Sequence, residues 1–239
     1  MSHGFIRAAA CTPEITVADC KNNARRVLEI MQQCAEQQVN LAVFPELCLT
    51  GYTCGDLFTQ PVLLQSASDA LLWLVKESAQ INLISIVGMP FVHFGKLYNC
   101  AVVFYQGQIL GIIPKTAIPN YGEFYEARHF SSAPNEISLV PLNGQEIPFG
   151  TNLLFACREM PEFVFGVEIC EDLWITQPPS TRHAIAGATL IANLSASNEI
   201  VGKDTFRRQL VQSQSSRLIC GYIYADAGEG ESTTDLVFA

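Results

Sequence analysis

A layered α/β sandwich, with mixed sheets covered by helices on their outer faces, is the fold class this sequence predicts. Three observations point to it: helical periods alternate with short apolar runs at the start, strand-like runs dominate from residue 83, and strands outnumber helices overall. Residues 5–11 form the first apolar run, expected as a strand. Asp19 then stands where a helix over 19–38 needs a cap, and Ala24, Val27, Leu28, Met31 and Ala35 recur along it at three- and four-residue spacing. Residues 41–44 are short and wholly apolar, as in a buried strand. Pro61 opens a second helix on which Leu64, Ala67, Leu71, Leu74 and Val75 keep the helical period.

Strands are expected next at 83–87, 97–105 and 109–113, the last two joined through Gln106-Gly107-Gln108 as a hairpin. Further strands are expected near Leu153, at 163–169, at 189–193 and at 221–225, with a short helix over 180–186 and a last one over about 205–218. No repeat or flexible linker divides the chain, so a single domain over 1–239 is the economical reading. The segment from Thr234 to Ala239 is apolar and strand-like with no polar tail, which predicts a domain cut short of its last strands.

Composition narrows the function. A chain of 239 residues with 49% hydrophobic and 15% charged residues can bury a substantial core. A net charge of -9 argues against nucleic acid and against an anionic membrane surface, because phosphate binding needs clustered Lys and Arg. No run approaches the ~18 apolar residues of a membrane span, and the opening Met1-Ser2-His3-Gly4-Phe5 has no signal-peptide pattern. Nine scattered cysteines fit free thiols in a reducing, cytoplasmic setting. With no Cys-x-x-Cys and with His3, His93, His129 and His183 far apart, no metal site is expected. Asn193-Leu194-Ser195 matches the glycosylation pattern but is discounted as a chance match, and Gly228-Glu229-Gly230-Glu231 reads as a turn, its acids being wrong for a phosphate loop.

Three side chains stand at the ends of apolar runs. Glu46 follows Val43-Phe44-Pro45, Lys115 follows Ile112-Ile113-Pro114, and Cys170 follows Phe163 to Ile169. Taken singly, Glu46 reads as a cap, Lys115 as a solvated charge and Cys170 as a small buried hydrophobe. Together they form a set suited to amide chemistry: a thiol to attack, a carboxylate to move protons and an ammonium to hold an oxyanion. The backbone amide after Cys170 is a candidate second oxyanion donor. A Cys–His pair using His129 or His183 is the alternative, ranked lower because neither histidine follows a strand end; a pairing of His129 with Glu126 or a structural role is at least as good.

These segments resemble the nitrilase, or carbon-nitrogen hydrolase, superfamily, whose Glu-Lys-Cys triad comes in this order. Within it, Phe44 to Tyr52 with Cys54-Gly55-Asp56-Leu57-Phe58, Lys115 to Tyr121 with Glu123 to Arg128, and Asn193-Leu194-Ser195-Ala196-Ser197-Asn198 resemble the N-terminal glutaminase domains of glutamine-dependent NAD synthetases. The resemblance implies a four-layer αββα fold, a catalytic set of Glu46, Lys115 and Cys170 supported by Glu126, and glutamine held by Tyr121, Glu171, Ser197 and Lys203. It also implies ammonia transfer to a C-terminal synthetase domain, not in this chain, that binds ATP, Mg and deamido-NAD, and assembly as a homo-oligomer. No cofactor is expected in this chain itself. The competing readings are a stand-alone amidase or nitrilase acting on another small amide, and a catalytically silent assembly domain.

Overall fold

The computed structural model describes residues 4–232 and 235–238. Two sheets lie face to face between two pairs of helices. The first sheet has seven strands: β1 (Ala8–Ala10), β2 (Leu41–Val43), β3 (Ile84–His93), β4 (Lys96–Tyr105), β5 (Gln108–Pro114), β6 (Ser138–Leu142) and β7 (Gln145–Phe149), in the order β1-β2-β3-β4-β5-β7-β6. The second has four, β8 (Leu154–Ala156), β9 (Val164–Ile169), β10 (Leu190–Leu194) and β11 (Gly221–Ala225), in the order β11-β10-β9-β8. Helices α1 (Cys20–Glu36) and α2 (Pro61–Glu77) contribute apolar faces to a core on one side of the first sheet. Beside the second sheet, Ala184 of α3 (Pro179–Ile185) and Leu218 of α4 (Lys203–Leu218) pack with Ile191 and Cys220.

The pattern of burial explains the layering. Alternate residues of the first sheet, among them Leu41, Val43, Ile86, Ala101, Val103 and Ile113, meet Phe165, Val167, Ile169, Ala192 and Leu194 of the second across a shared apolar core. Their neighbours of opposite parity, Ala42, Val87, Val102, Phe104 and Ile112, belong to the core that also holds Ala24, Val27 and Met31 of α1. The expected αββα order is therefore present. Both faces of β2 are covered, which is why its sequence is uniformly apolar rather than alternating.

Most expected elements form close to their expected bounds. The Asp19 carboxylate accepts from the Asn22 backbone N–H at 3.1 Å and caps α1 as anticipated. The buried face of that helix is shifted slightly, with Asn23 and Cys34 inside where Leu28 and Ala35 were expected. Strand β3 runs on through Gly88 and Pro90 to His93, pairing with β4 as a second hairpin. A third hairpin, β6 and β7, was not anticipated, although the Asn143-Gly144 pair at its turn is a strong hairpin signature. The 229–231 region is a turn, and the Glu231 carboxylate accepts from the backbone N–H of Tyr52 at 2.7 Å and of Thr53 at 3.0 Å.

The expected final strand is not formed over 235–238, where Phe238 instead stands edge-on to Tyr52 with ring centroids 6.1 Å apart. Thr234 and Ala239 of that expectation, like Met1, Ser2 and His3 of the opening, lie outside the described residues. Among the described residues no helix is long and apolar enough to cross a membrane.

Candidate active site

Four polar side chains at the centre of the site stand just past the carboxyl ends of strands, and the two sheets supply different parts of it. The first sheet brings Glu46, three residues past β2, and Lys115, immediately past β5. The second brings Cys170, immediately past β9, and Ser195, immediately past β10. Lys115 is fully buried, and its Nζ donates to Glu46 Oε1 at 2.6 Å and to Glu126 Oε1 at 2.6 Å. An ammonium has three donors, so one is left. Asn99 Nδ2 also donates to Glu46 Oε1 at 2.6 Å, the Ala196 N–H donates to Oε2 at 3.0 Å, and the Tyr52 hydroxyl donates to Glu126 Oε1 at 2.8 Å.

This is a buried cation shared by two buried acids. Burial pulls the Lys115 ammonium down, but the carboxylates of Glu126 and Glu46 outweigh it and hold its pKa well above the usual range. Burial pushes Glu126 up, with the charge of Glu46 adding and that of Lys115 opposing. The expected pairing of His129 with Glu126 is not the one found: His129 Nε2 lies 3.7 Å from Asp56 Oδ1, and its ring packs against Phe58 and Phe130. His183 Nε2 donates to the Thr151 carbonyl at 2.8 Å. Neither histidine is hydrogen-bonded to Cys170.

Cys170 occupies a tight turn with φ of +44°, a left-handed conformation that side chains other than glycine adopt at a cost of about 1–3 kcal/mol. Its surroundings hold that conformation in place. The Cys170 N–H donates to Asn193 Oδ1 at 3.1 Å, which buries Asn193 and disposes of the glycosylation pattern as a surface site. Asp172 accepts from Ile169 N–H at 3.0 Å on one side, and from Thr116 at 3.0 Å and Ala117 at 2.7 Å on the other. One carboxylate thus ties the cysteine turn to the strand end carrying Lys115. Burial pushes Asp172 up to about 7 despite those three amides. Replacing Asp172 by alanine is expected to destabilise the fold by roughly 3 kcal/mol, from amides left without an acceptor. A urea-unfolding midpoint measures it.

The Cys170 thiol is pushed well above its ordinary range, first by burial and then by the charge of Glu46, while Lys115 and the Ser195 hydroxyl oppose the rise. At neutral pH the resting group is a thiol, so a reaction here needs a base beside it. Next to Cys170 the backbone of Glu171 lies in the first turn of a short 3-10 helix over Cys170–Leu173, where N–H groups have no partner within the helix.

Cys170 opens into a cleft of about 490 Å³, and all four expected substrate contacts, Tyr121, Glu171, Ser197 and Lys203, line it. The Tyr121 hydroxyl donates to the Glu171 carboxylate at 3.1 Å. Lys203 Nζ sits 5.6 Å from the ring centres of both Phe124 and Trp174 and donates to Asn198, which in turn donates to Glu123. Burial raises Glu171 and lowers Lys203. An acid and an ammonium therefore line the same cleft as the buried thiol.

The sequence reading missed Tyr52, Asn99, Asp172, Asn193, Ser195 and Tyr224. Asn99 carried a usable signal, being a lone amide inside the apolar run of β4. The others gave none that separates them from ordinary strand and turn polars.

Comparison with known proteins places these residues in context. The carbon-nitrogen hydrolase family profile matches residues 7–227. The chain is 47% identical over 236 residues to the glutamine-dependent NAD(+) synthetase of Mycobacterium tuberculosis, covering 99% of this chain and 35% of that protein. Among solved structures, a glutamine-dependent NAD(+) synthetase from Cytophaga hutchinsonii superposes with a TM-score of 0.86 at 30% identity, covering 97% of this chain and 37% of that one. An amidase from Nesterenkonia shares the fold, with a TM-score of 0.73 at 17% identity over 98% of this chain and 79% of its own. The chain thus spans about a third of the length of the synthetases it matches.

Proposed function

The chain belongs to the carbon-nitrogen hydrolase family, and from that premise we propose that it hydrolyses the side-chain amide of L-glutamine. The ammonia would feed a C-terminal synthetase domain, which would bind ATP and Mg and amidate deamido-NAD. No residue of this chain is assigned to those ligands. The same reading makes the protein a cytoplasmic homo-oligomer.

One observation carries the choice of glutamine. A single cleft is lined by the Cys170 thiol, by an acid, Glu171, and by an ammonium, Lys203. Free glutamine carries an α-ammonium and an α-carboxylate that such a pair can meet, whereas a simple nitrile or amide carries neither. Tyr121 fixes the Glu171 carboxylate, and Ser197 completes the wall.

In this reaction Glu46 takes the proton from Cys170 as the sulfur attacks the carboxamide carbon. The oxyanion is held by the unused Lys115 donor and the Glu171 N–H. Collapse of the tetrahedral adduct breaks the C–N bond, and Glu46 returns its proton to the departing ammonia. Water, deprotonated by Glu46, then attacks the γ-glutamyl thioester and releases glutamate and the thiol. Glu126 pairs with Lys115 so that Glu46 is not its sole counter-charge.

The test is ammonia release from glutamine by this chain and by Cys170→Ala, with intact mass of the quenched protein to detect a γ-glutamyl adduct. Turnover or an adduct, absent from the variant, is the expected result. Preference for another ω-amide would favour a stand-alone amidase. Silence here and in the full-length protein would leave an assembly domain.

A further inference from the structure

Ser195 is a fully buried hydroxyl whose Oγ lies 3.3 Å from Cys170 Sγ and 2.6 Å from the Tyr224 hydroxyl. Its backbone is pinned from both sides. The Ser195 N–H donates to the Ala225 carbonyl at 2.8 Å, and its carbonyl accepts from Ala227 at 3.0 Å and from Glu46 at 3.3 Å. The same residue therefore touches the nucleophile, braces the base and joins the end of β10 to the segment that follows β11. Tyr224 reaches it because β10 and β11 pair in parallel, with Asn193 opposite Tyr224.

We infer that Ser195, backed by Tyr224, is a catalytic hydrogen-bond donor to the Cys170 thiolate, both when it forms for attack and when it departs from the thioester. The inference rests on Cys170 being the nucleophile of the proposed reaction. Polarity sets the direction of the relay. A thiolate can only accept, so the Ser195 O–H points at sulfur and its oxygen accepts from the Tyr224 O–H. Burial, with the charges of Cys170 and Asp226 adding, holds Tyr224 well above the ordinary phenol range, so it keeps the proton this requires. A neutral thiol is a poor acceptor while a thiolate is a strong one. The contact therefore favours the charged form, and no proton is gained or lost along the relay.

The titratable groups facing this sulfur are Glu46 and Lys115 from the first sheet, Tyr52 from the 3-10 helix over Tyr52–Thr59, and Tyr121 from the loop after β5. Lys203 faces it from the start of α4, Tyr224 from β11, and Glu171 adjoins it in the chain. None of these groups changes in a Ser195 variant, so a change in the titration of Cys170 reports on the hydroxyl.

The experiment is the pH dependence of Cys170 alkylation by iodoacetamide, quantified by peptide mass spectrometry, with the other eight cysteines as internal reporters of folding. Ser195→Ala is expected to raise the midpoint by about one pH unit, the size of a hydrogen bond to a charged group. Tyr224→Phe is expected to move it the same way by less, and Ser195→Thr, which keeps the hydroxyl, to restore it. Superimposable Ser195→Ala and wild-type profiles would overturn the inference, as would a shift that threonine does not reverse. If Ser195→Ala does not fold, Tyr224→Phe decides, and an unmoved profile there is a refutation. No glutamine enters this assay, so a shifted profile in a protein that releases no ammonia even at full length would sink the glutamine reading and leave the hydroxyl's contact with the Cys170 thiolate standing.

Discussion

Lys115→Met is expected to lose about 10³-fold in ammonia release, the upper end of what one oxyanion donor supplies. It is also expected to destabilise the fold by about 3–5 kcal/mol, because Glu46 and Glu126 would share a buried site with no cation between them. Methionine matches the lysine stem in length and polarity, so the cavity stays filled and the loss is electrostatic. The pH dependence identifies the cause. Without the ammonium, burial and the charge of Glu46 push the Glu126 carboxyl up with no Lys115 charge opposing them, so its folded-state pKa stands further above its unfolded one. The variant is therefore least impaired below about pH 4, where unfolded glutamates are protonated too, and falls further behind wild type as pH rises through the raised value. Urea midpoints at pH 5 and pH 8 measure this, and a constant gap would show that lost packing, not lost charge, is responsible. Wild-type turnover would remove Lys115 from the mechanism.

Gly88→Ala is expected to cut turnover about 100-fold without touching any reacting group, since a misplacement near 1 Å can cost that much. A Cβ at this position of β3 would lie 2.2 Å from the Leu47 nitrogen, 2.6 Å from the Pro45 oxygen and 2.8 Å from the Glu46 carbonyl carbon. All three are backbone atoms of the turn that aims Glu46. That turn is pinned again by the Leu49 N–H, which donates to the Gly88 carbonyl at 3.2 Å, so it cannot simply lift away. A stability loss of about 1–3 kcal/mol should accompany the defect, as for other overpacked sites. Gly221→Ala is the control, because the nearest atom to its Cβ would be 3.7 Å away, an ordinary contact. If both variants behave alike, close approach at Gly88 is not what positions the base.

Gly88 also shows why part of the fold was illegible. Read along the chain, Gly88 and Pro90 are strand breakers, and the expected strand stopped at Val87. In three dimensions the glycine is there because another backbone crosses it, a fact with no local signature. Helices α1 and α2 and strand β11 were legible because periodicity, a cap and a proline are local features. Glu46, Lys115 and Cys170 were legible because each ends an apolar run, and Glu126 and the cleft residues only through resemblance. Ser195, Tyr224 and Asp172 were not, because their roles exist only once β9, β10 and β11 lie side by side and the first sheet is docked on the second. A serine in a strand-end tripeptide carries no mark of the sulfur it will meet.

The division of the site between the two sheets has a consequence for the life of the chain before it is finished. Neither half is competent alone: one carries the base and the ammonium, the other the sulfur and its hydroxyl. A nascent or partly melted molecule in which the sheets have not met thus presents a cysteine with neither Glu46 nor the Lys115 ammonium beside it. In the proposed reaction glutamine is therefore spared by every form in which the sheets have not docked, and the appearance of activity during refolding serves as a clock for that docking.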